Sequence, residues 1–462
     1  MRVEECWDER LVMALSAHLL RLAPVTALLI CLYAFVIPLG TSPPYFVSPA
    51  LVAPAVVVFL VCREVRENSI IRWSLAWVVL VLLFAFRARL AGTPGDHLTR
   101  TVSYVFISTA PFIAISIAFA TRAVPFRTLA LAGLASGLAG GMLRLLWRAD
   151  WSAGFQLFAS YDEGGGGANR NTLAAVAGLT VLAALSLAVY QLLAATRLSG
   201  RLLRAAPLLA LGSIAGFALL AMTSRTSLIA TSVALVVWTI ACAGILLPRR
   251  LWKKAVILPA VVLLGATAIT LTVLSPTQLF EMLGPRITNT ESYHNRLVLF
   301  RLAAELIAQK PWLGWGPDVA PLLPAYGRDF VLAGAIWFGY SSIELQTHFH
   351  NVYLEFVLGI GITGTGLFVL LVSVMARDIL ATRSNQRLDT YALAVLLPFV
   401  IACFAYFTVM GMSESINRVR LVTQSLILIT GFLLARGSIG ASIDRLLARD
   451  QPRSPDQHDG TP

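Results

Sequence analysis

Charge is scarce in this 462-residue sequence: only 13% of its positions are Asp, Glu, Lys or Arg. A soluble fold carries roughly twice that fraction. With 57% hydrophobic residues and a mean hydropathy of +0.76, the scarcity excludes a soluble globular chain and indicates a membrane protein. Cysteine is sparse too. Cys6, Cys31, Cys62, Cys242 and Cys403 are scattered, four of them in or at the ends of apolar runs. None has the spacing of a metal or disulfide pair, so they read as packing residues. There is no Walker A motif, no dinucleotide fingerprint and no Cys/His metal spacing, which argues against an ATP-driven pump or a redox protein. No internal repeat is apparent. Met1 to Arg10 is mixed in charge, and no small-residue cleavage site follows the first apolar run, which therefore reads as a retained anchor.

What the sequence does have is apolar runs long enough to span a bilayer. Twelve can be marked, at 23–39, 47–62, 70–86, 101–120, 125–144, 171–195, 205–222, 226–247, 254–275, 351–375, 389–411 and 417–436. The expected fold is all-α, a polytopic membrane protein of about twelve transmembrane helices with one large extracytoplasmic loop region. Of the 36 Lys and Arg residues, 22 fall on the side of the N-terminus and 14 on the other, and the 22 sit in short connections such as Arg249-Arg250 and Lys253-Lys254. By the positive-inside rule both termini are cytoplasmic. That bias accounts for most of the net charge of +12 without invoking nucleic acid.

The expected organisation is transmembrane helices 1–9 over 1–275, an extracytoplasmic loop and helical region over 276–350, helices 10–12 over 351–436, and a cytoplasmic tail over 437–462. Two far-side segments stand out. The first ends in Tyr161-Asp-Glu-Gly-Gly-Gly-Gly-Ala-Asn-Arg-Asn171, a flexible glycine run leading into a span. The second, 276–350, is the one long interruption of the apolar pattern. Within it Ser292 to Lys310 reads as a helix with an apolar stripe of Leu297, Phe300, Ala304 and Ile307, an Arg301–Glu305 pair, and Pro311 as its stop. Trp312 and Trp315 read as interfacial anchors. Asp450 to Pro462 is polar and Pro-rich, as expected of a disordered tail.

The residues able to carry chemistry lie on that far side. His348 and His350 stand at the entrance of an apolar run, and their i, i+2 spacing points them to different faces of a helix, which speaks against a shared metal. With a helix starting near 349, His350 falls in its first turn, where the positive helix end favours a neutral ring able to accept a proton. An interfacial histidine satisfied by backbone or headgroup is the plainer alternative. Arg225, in Met-Thr-Ser-Arg-Thr-Ser between two closely spaced spans, is a functional candidate by its cost near hydrocarbon, and its planar fork suits a phosphate or diphosphate. Arg170 follows the glycine run at a helix start. Arg296, Arg301 and Arg286 offer the same chemistry, with snorkelling to the interface as the alternative. Glu414 lies in the turn between the last two spans and has the reach to orient a histidine or an arginine. One imidazole base, several arginines and no metal ligands on a face without ATP suit a substrate that arrives already activated, such as a lipid-linked diphosphate sugar.

Four features resemble the O-antigen ligase and O-antigen polymerase-like superfamily of bacterial envelope proteins. They are Asn-Arg-Asn-x-x-Ala at 169–174, Thr-Ser-Arg at 223–225, Asn-Arg followed by Gln-Lys-Pro-Trp-Leu-Gly-Trp-Gly at 309–316, and His-x-His-Asn-x-Tyr-Leu-Glu at 348–355 followed by Gly-Ile-Gly-Ile-Thr-Gly. Their order, their spacing and the long loop before the histidines agree with the family over about residues 150–420.

The resemblance implies metal-independent, cofactor-free glycosyl transfer from undecaprenyl diphosphate at the periplasmic face of the bacterial inner membrane. By position it makes His350 the catalytic residue, and Arg225, Arg170 and Arg296 candidates for diphosphate or glycan contact. His348, Asn351 and Glu414 would support them, and which of the two histidines is the base stays open. The expected partners are the lipid-linked glycan, an acceptor and membrane lipids, with no nucleic acid. In a ligase the acceptor is a lipid A-core sugar, in a polymerase another lipid-linked repeat unit, and in some relatives a pilin serine. The twelve-span layout with one late loop favours the ligase. A transporter of lipid-linked sugars is the alternative of another class, and it predicts arginines spread through the membrane depth instead of gathered at one surface.

Overall fold

A computed structural model describes residues 21–39, 43–149, 170–194, 198–222, 224–246, 257–273, 291–326, 349–385, 390–412 and 420–449. Among them there are helices and connections but no strand. The main helices are α1 (Arg21–Val36), α2 (Pro43–Val61), α3 (Ser69–Leu90), α4 (His97–Val105), α5 (Ala110–Ala120), α6 (Phe126–Arg148), α7 (Arg170–Ala194) and α8 (Leu198–Ala221). They continue with α9 (Arg225–Leu246), α10 (Ile257–Val273), α11 (Glu291–Gln309), α12 (Val352–Asn385), α13 (Thr390–Gly411), α14 (Arg420–Leu434) and α15 (Ser438–Arg449). The glycine run before Arg170, the segments 276–290 and 327–348, and the tail 450–462 lie outside the described residues, as do His348 and Glu414.

Six of these helices (α3, α6, α7, α8, α9 and α12) are long and apolar enough to cross a membrane, and α14 with α15, bent by 51° at a short break, would make a seventh. Shorter apolar helices cover Arg21–Val36, Val47–Leu60, Ala110–Ala120, Ile257–Thr272 and Val395–Gly411. The run expected as one span at 101–120 is two helices joined by a 3-10 turn at Phe106–Thr109. Pro111, in the first turn of α5, has no amide to extend the preceding helix and restricts the residue before it.

Helix α7 is the axis of the bundle: 89% of its apolar window is buried, against 33–56% in the other five long spans. Its alanines and glycine let α6, α8, α9 and α13 approach closely. A Cβ on Gly178 would stand 2.4 Å from Thr231 Oγ1 of α9 and 2.9 Å from the Tyr406 ring of α13. The outer face of α3 instead exposes Val79, Leu82, Leu83, Phe86 and Leu90, a surface suited to lipid.

A second, smaller core forms around α11, where Val298, Leu299, Leu302, Ala303 and Leu306 meet Trp315, Leu322, Leu323, Phe349 and Leu358. The helix begins and ends within a residue of expectation, but its buried face is not the expected one. Ala304 and Leu297 are exposed, and Phe300 and Ile307 only partly covered. Apolar residues surround this helix, and the docking of Phe349 and Leu358 selects which face is covered. The Arg301–Glu305 pair is present at 3.8 Å and exposed. Trp312 is 67% exposed, in keeping with an interfacial anchor, whereas Trp315 is buried and donates Nε1–H to the Leu306 carbonyl at 2.9 Å.

Candidate functional site

Two of the arginines open neighbouring helices. Arg170 is the first residue of α7 and Arg225 the first of α9. The Ser224 hydroxyl donates to Asn171 Oδ1 at 2.8 Å and lies 3.1 Å from Ser227 Oγ, while the Ser227 amide donates back to Ser224 Oγ at 3.4 Å. Ser224 therefore caps α9 and in the same stroke ties its start to the start of α7. Ser227 Oγ stands 3.7 Å from Met410 Sδ, which brings in the end of α13.

The histidine segment meets the same end of α13. Asn351 Nδ2 donates to the Met412 carbonyl at 3.3 Å, and the Tyr353 hydroxyl to the Thr408 carbonyl at 3.1 Å. Asn351 Oδ1 accepts the Leu354 amide at 3.0 Å, so Asn351 is the N-cap of α12. His350 thus precedes the cap and is not in the first helical turn as expected. The cap supplied by Asn351 fixes the helix start at Val352. His350 is 6% exposed and holds φ at 52°, a left-handed conformation uncommon outside glycine. Such outliers concentrate at functional sites.

The residue that shapes this corner was not singled out in the sequence. Glu355, 2% exposed, accepts the Phe349 amide on Oε1 at 3.3 Å, and its carbonyl accepts the buried Tyr104 hydroxyl at 3.0 Å. Its signal was available, because it is the one acidic residue in the stretch 352–377, and an ionisable group in an apolar helix marks a site by default.

A second layer steadies α12. The helix breaks at Gly361, where φ is 68° and ψ −178°. The Pro311–Gly316 turn docks on that break through Trp315 N–H to Leu358 O (2.7 Å), Gly316 N–H to Gly359 O (2.8 Å) and Ile362 N–H to Pro311 O (2.8 Å). The turn is held in its turn by the α3–α4 corner. The Asp318 amide donates to His97 Nδ1 at 3.2 Å, leaving His97 Nε2 to donate to the Thr93 carbonyl, also at 3.2 Å. The buried Asp318 carboxylate accepts the Asp96 amide at 2.8 Å and pairs with Arg100 at 3.6 Å.

The geometry therefore gathers Arg170, Arg225, Asn351 and His350 around the end of α13, and Arg296, partly buried, sits on the helix packed against Phe349. The starts of α7, α9 and α12 share that end of the bundle, and helix N-termini favour anions. Arg225 is exposed there. Among the described residues no three His, Cys, Asp or Glu side chains gather as a metal site. Chemically the arrangement offers a sheltered imidazole beside an anion-favouring corner. No curated protein matches the chain. Residues 208–369, from within α8 to α12, match the family model described as O-antigen ligase, which supports placing the chain in the O-antigen ligase superfamily.

Proposed function

We propose that the protein is an O-antigen ligase that moves a glycan from undecaprenyl diphosphate to a hydroxyl of a lipid A-core acceptor, at the periplasmic face of the inner membrane and without a metal. His350 takes the proton of the acceptor hydroxyl as its oxygen attacks the anomeric carbon. The bond from that carbon to the diphosphate breaks, and the departing diphosphate carries the electron pair. Arg225, Arg170 and Arg296 offset its growing charge, together with the three helix N-termini. His348 and Glu414 are supporting groups that flank this corner in sequence. The observation that carries the reading is the linkage of Asn171, Ser224, Met410, Met412 and Asn351 around one helix end, which unites motifs distant in sequence. Twelve spans with both termini cytoplasmic belong to the same reading, supported by helical structure on each expected apolar run, in two pieces at 101–120.

The test supplies purified protein with undecaprenyl-diphosphate glycan and either truncated core lipid or a second lipid-linked repeat. Transfer to core lipid supports the ligase. Chain extension on the repeat alone would make the protein a polymerase, and movement of intact donor across vesicles without transfer would make it a transporter. Loss of transfer to a chelator would contradict the metal-free step.

A further inference from the structure

The Pro311–Gly314 turn is flanked by two cations that the reaction does not use. From the end of α3, Arg87 Nη1 donates to the Leu313 and Gly314 carbonyls, both at 3.3 Å. From the other side, Lys310 Nζ lies 3.7 Å from the centre of the Trp315 ring. Among the described residues no carboxylate pairs with either. Each therefore keeps donors to spare, Arg87 on the rest of its guanidinium and Lys310 on its ammonium. Two like charges drawn to one turn without a counter-ion repel each other, and burial together with Arg87 pushes the Lys310 ammonium below its ordinary range.

The surroundings say what kind of anion fits. Leu83 (58%) and Phe86 (56%), within the last turns before Arg87, and Trp312 (67%) and Leu313 (40%), next to Lys310, are all exposed. Exposed apolar side chains, a tryptophan among them, next to two cations match the boundary between acyl chains and headgroups. We propose that Arg87 and Lys310 form a seat for the phosphate headgroup of an acidic bilayer lipid, whose chains lie along Phe86 and Leu83. The guanidinium meets the phosphate oxygens in its planar fork and the ammonium acts as a point charge. The bound lipid relieves the repulsion and braces the turn that docks on Gly361, so it steadies α12 from outside the reacting corner. Nothing in this proposal depends on the reaction the protein performs.

The experiment is native mass spectrometry of the full purified chain with phosphatidylglycerol and phosphatidylcholine of identical acyl chains. The wild type should retain phosphatidylglycerol preferentially. Each interfacial charge contributes about 5-fold in affinity, so Arg87→Gln with Lys310→Gln should lower phosphatidylglycerol retention about 25-fold and leave phosphatidylcholine unchanged. Arg87→Gln removes two hydrogen bonds to backbone, so Lys310→Gln alone, predicted to lose about 5-fold, serves if the double variant does not fold. Equal retention of the two lipids by the wild type would overturn the proposal, as would wild-type phosphatidylglycerol retention by a folded Lys310→Gln. Inorganic phosphate at millimolar concentration should leave the bound lipid in place; displacement by it would make this a site for free phosphate and overturn the lipid assignment.

Discussion

The Phe349 amide donates to Oε1 of Glu355 at 3.3 Å, so a carboxylate within the first turn of α12 holds the backbone that immediately precedes His350. The left-handed turn at His350 and the Asn351 cap are set between this bond and the bond from Asn351 to Met412. The imidazole is thus placed by its neighbours on the chain and not by a helical position of its own.

Glu355→Ala removes that acceptor and leaves a buried amide unpaired. A hydrogen bond to a charged group contributes about 1.5–3 kcal/mol, so glycosyl transfer should fall about 10–100-fold, with a lower melting temperature. Glu355→Gln keeps a carbonyl acceptor and should recover part of the loss. Transfer rates and melting curves of the two variants check this, and equal behaviour of Ala and Gln would remove Glu355 from the positioning role.

The link between the starts of α7 and α9 is measurable as a coupling. Asn171→Ala and Ser224→Ala each should destabilise by about 1 kcal/mol, and the double variant by less than their sum. Strict additivity in chemical unfolding would show that Ser224 and Asn171 do not share the bond seen at 2.8 Å.

Gly361 admits no side chain. Its φ of 68° disfavours one, and a Cβ there would stand 2.2 Å from the Trp312 carbonyl oxygen. Gly361→Ala should cost more than about 3 kcal/mol and yield little folded protein. Gly366, five residues on with nothing within 4 Å of its Cβ position, should accept alanine without loss. Yields and melting temperatures of the two variants, read side by side, test the docking of the turn.

For Lys310 the sign of the pH effect follows from its lowered ammonium pKa, set by burial first and Arg87 second. Between that lowered value and the ordinary 10.5 the unfolded chain binds more protons, so this group's contribution to stability rises with pH across the window. Arg87→Gln should move Lys310 back toward its ordinary range. The pH profile of amine labelling at Lys310, followed by peptide mass spectrometry, should shift upward in that variant.

The all-helical, membrane-type fold was legible in the sequence, because long apolar runs act over many residues. The helix ending just before Pro311 and the pairing of Arg301 with Glu305 were readable because their signals are local. The buried face of α11 was not, since its partners Phe349 and Leu358 lie some fifty residues away and choose among several apolar faces. Trp315 was misplaced likewise: its ring meets a core that exists only once the turn has docked. The candidate site was half legible. His350, Arg225 and Arg170 stood out by charge against an apolar background, but nothing in their spacing told that Asn171, Ser224 and Met412 would join them around α13.

His350 and Arg225 are proposed to act together at this helix end in glycosyl transfer. The most direct measurement is the transfer rate of purified His350→Ala and Arg225→Ala, each with wild-type melting temperature, on undecaprenyl-diphosphate glycan and core lipid. A fall of at least about 100-fold is expected for His350→Ala, the scale of a lost general base, and a comparable fall for Arg225→Ala. Wild-type rates in either folded variant would contradict it.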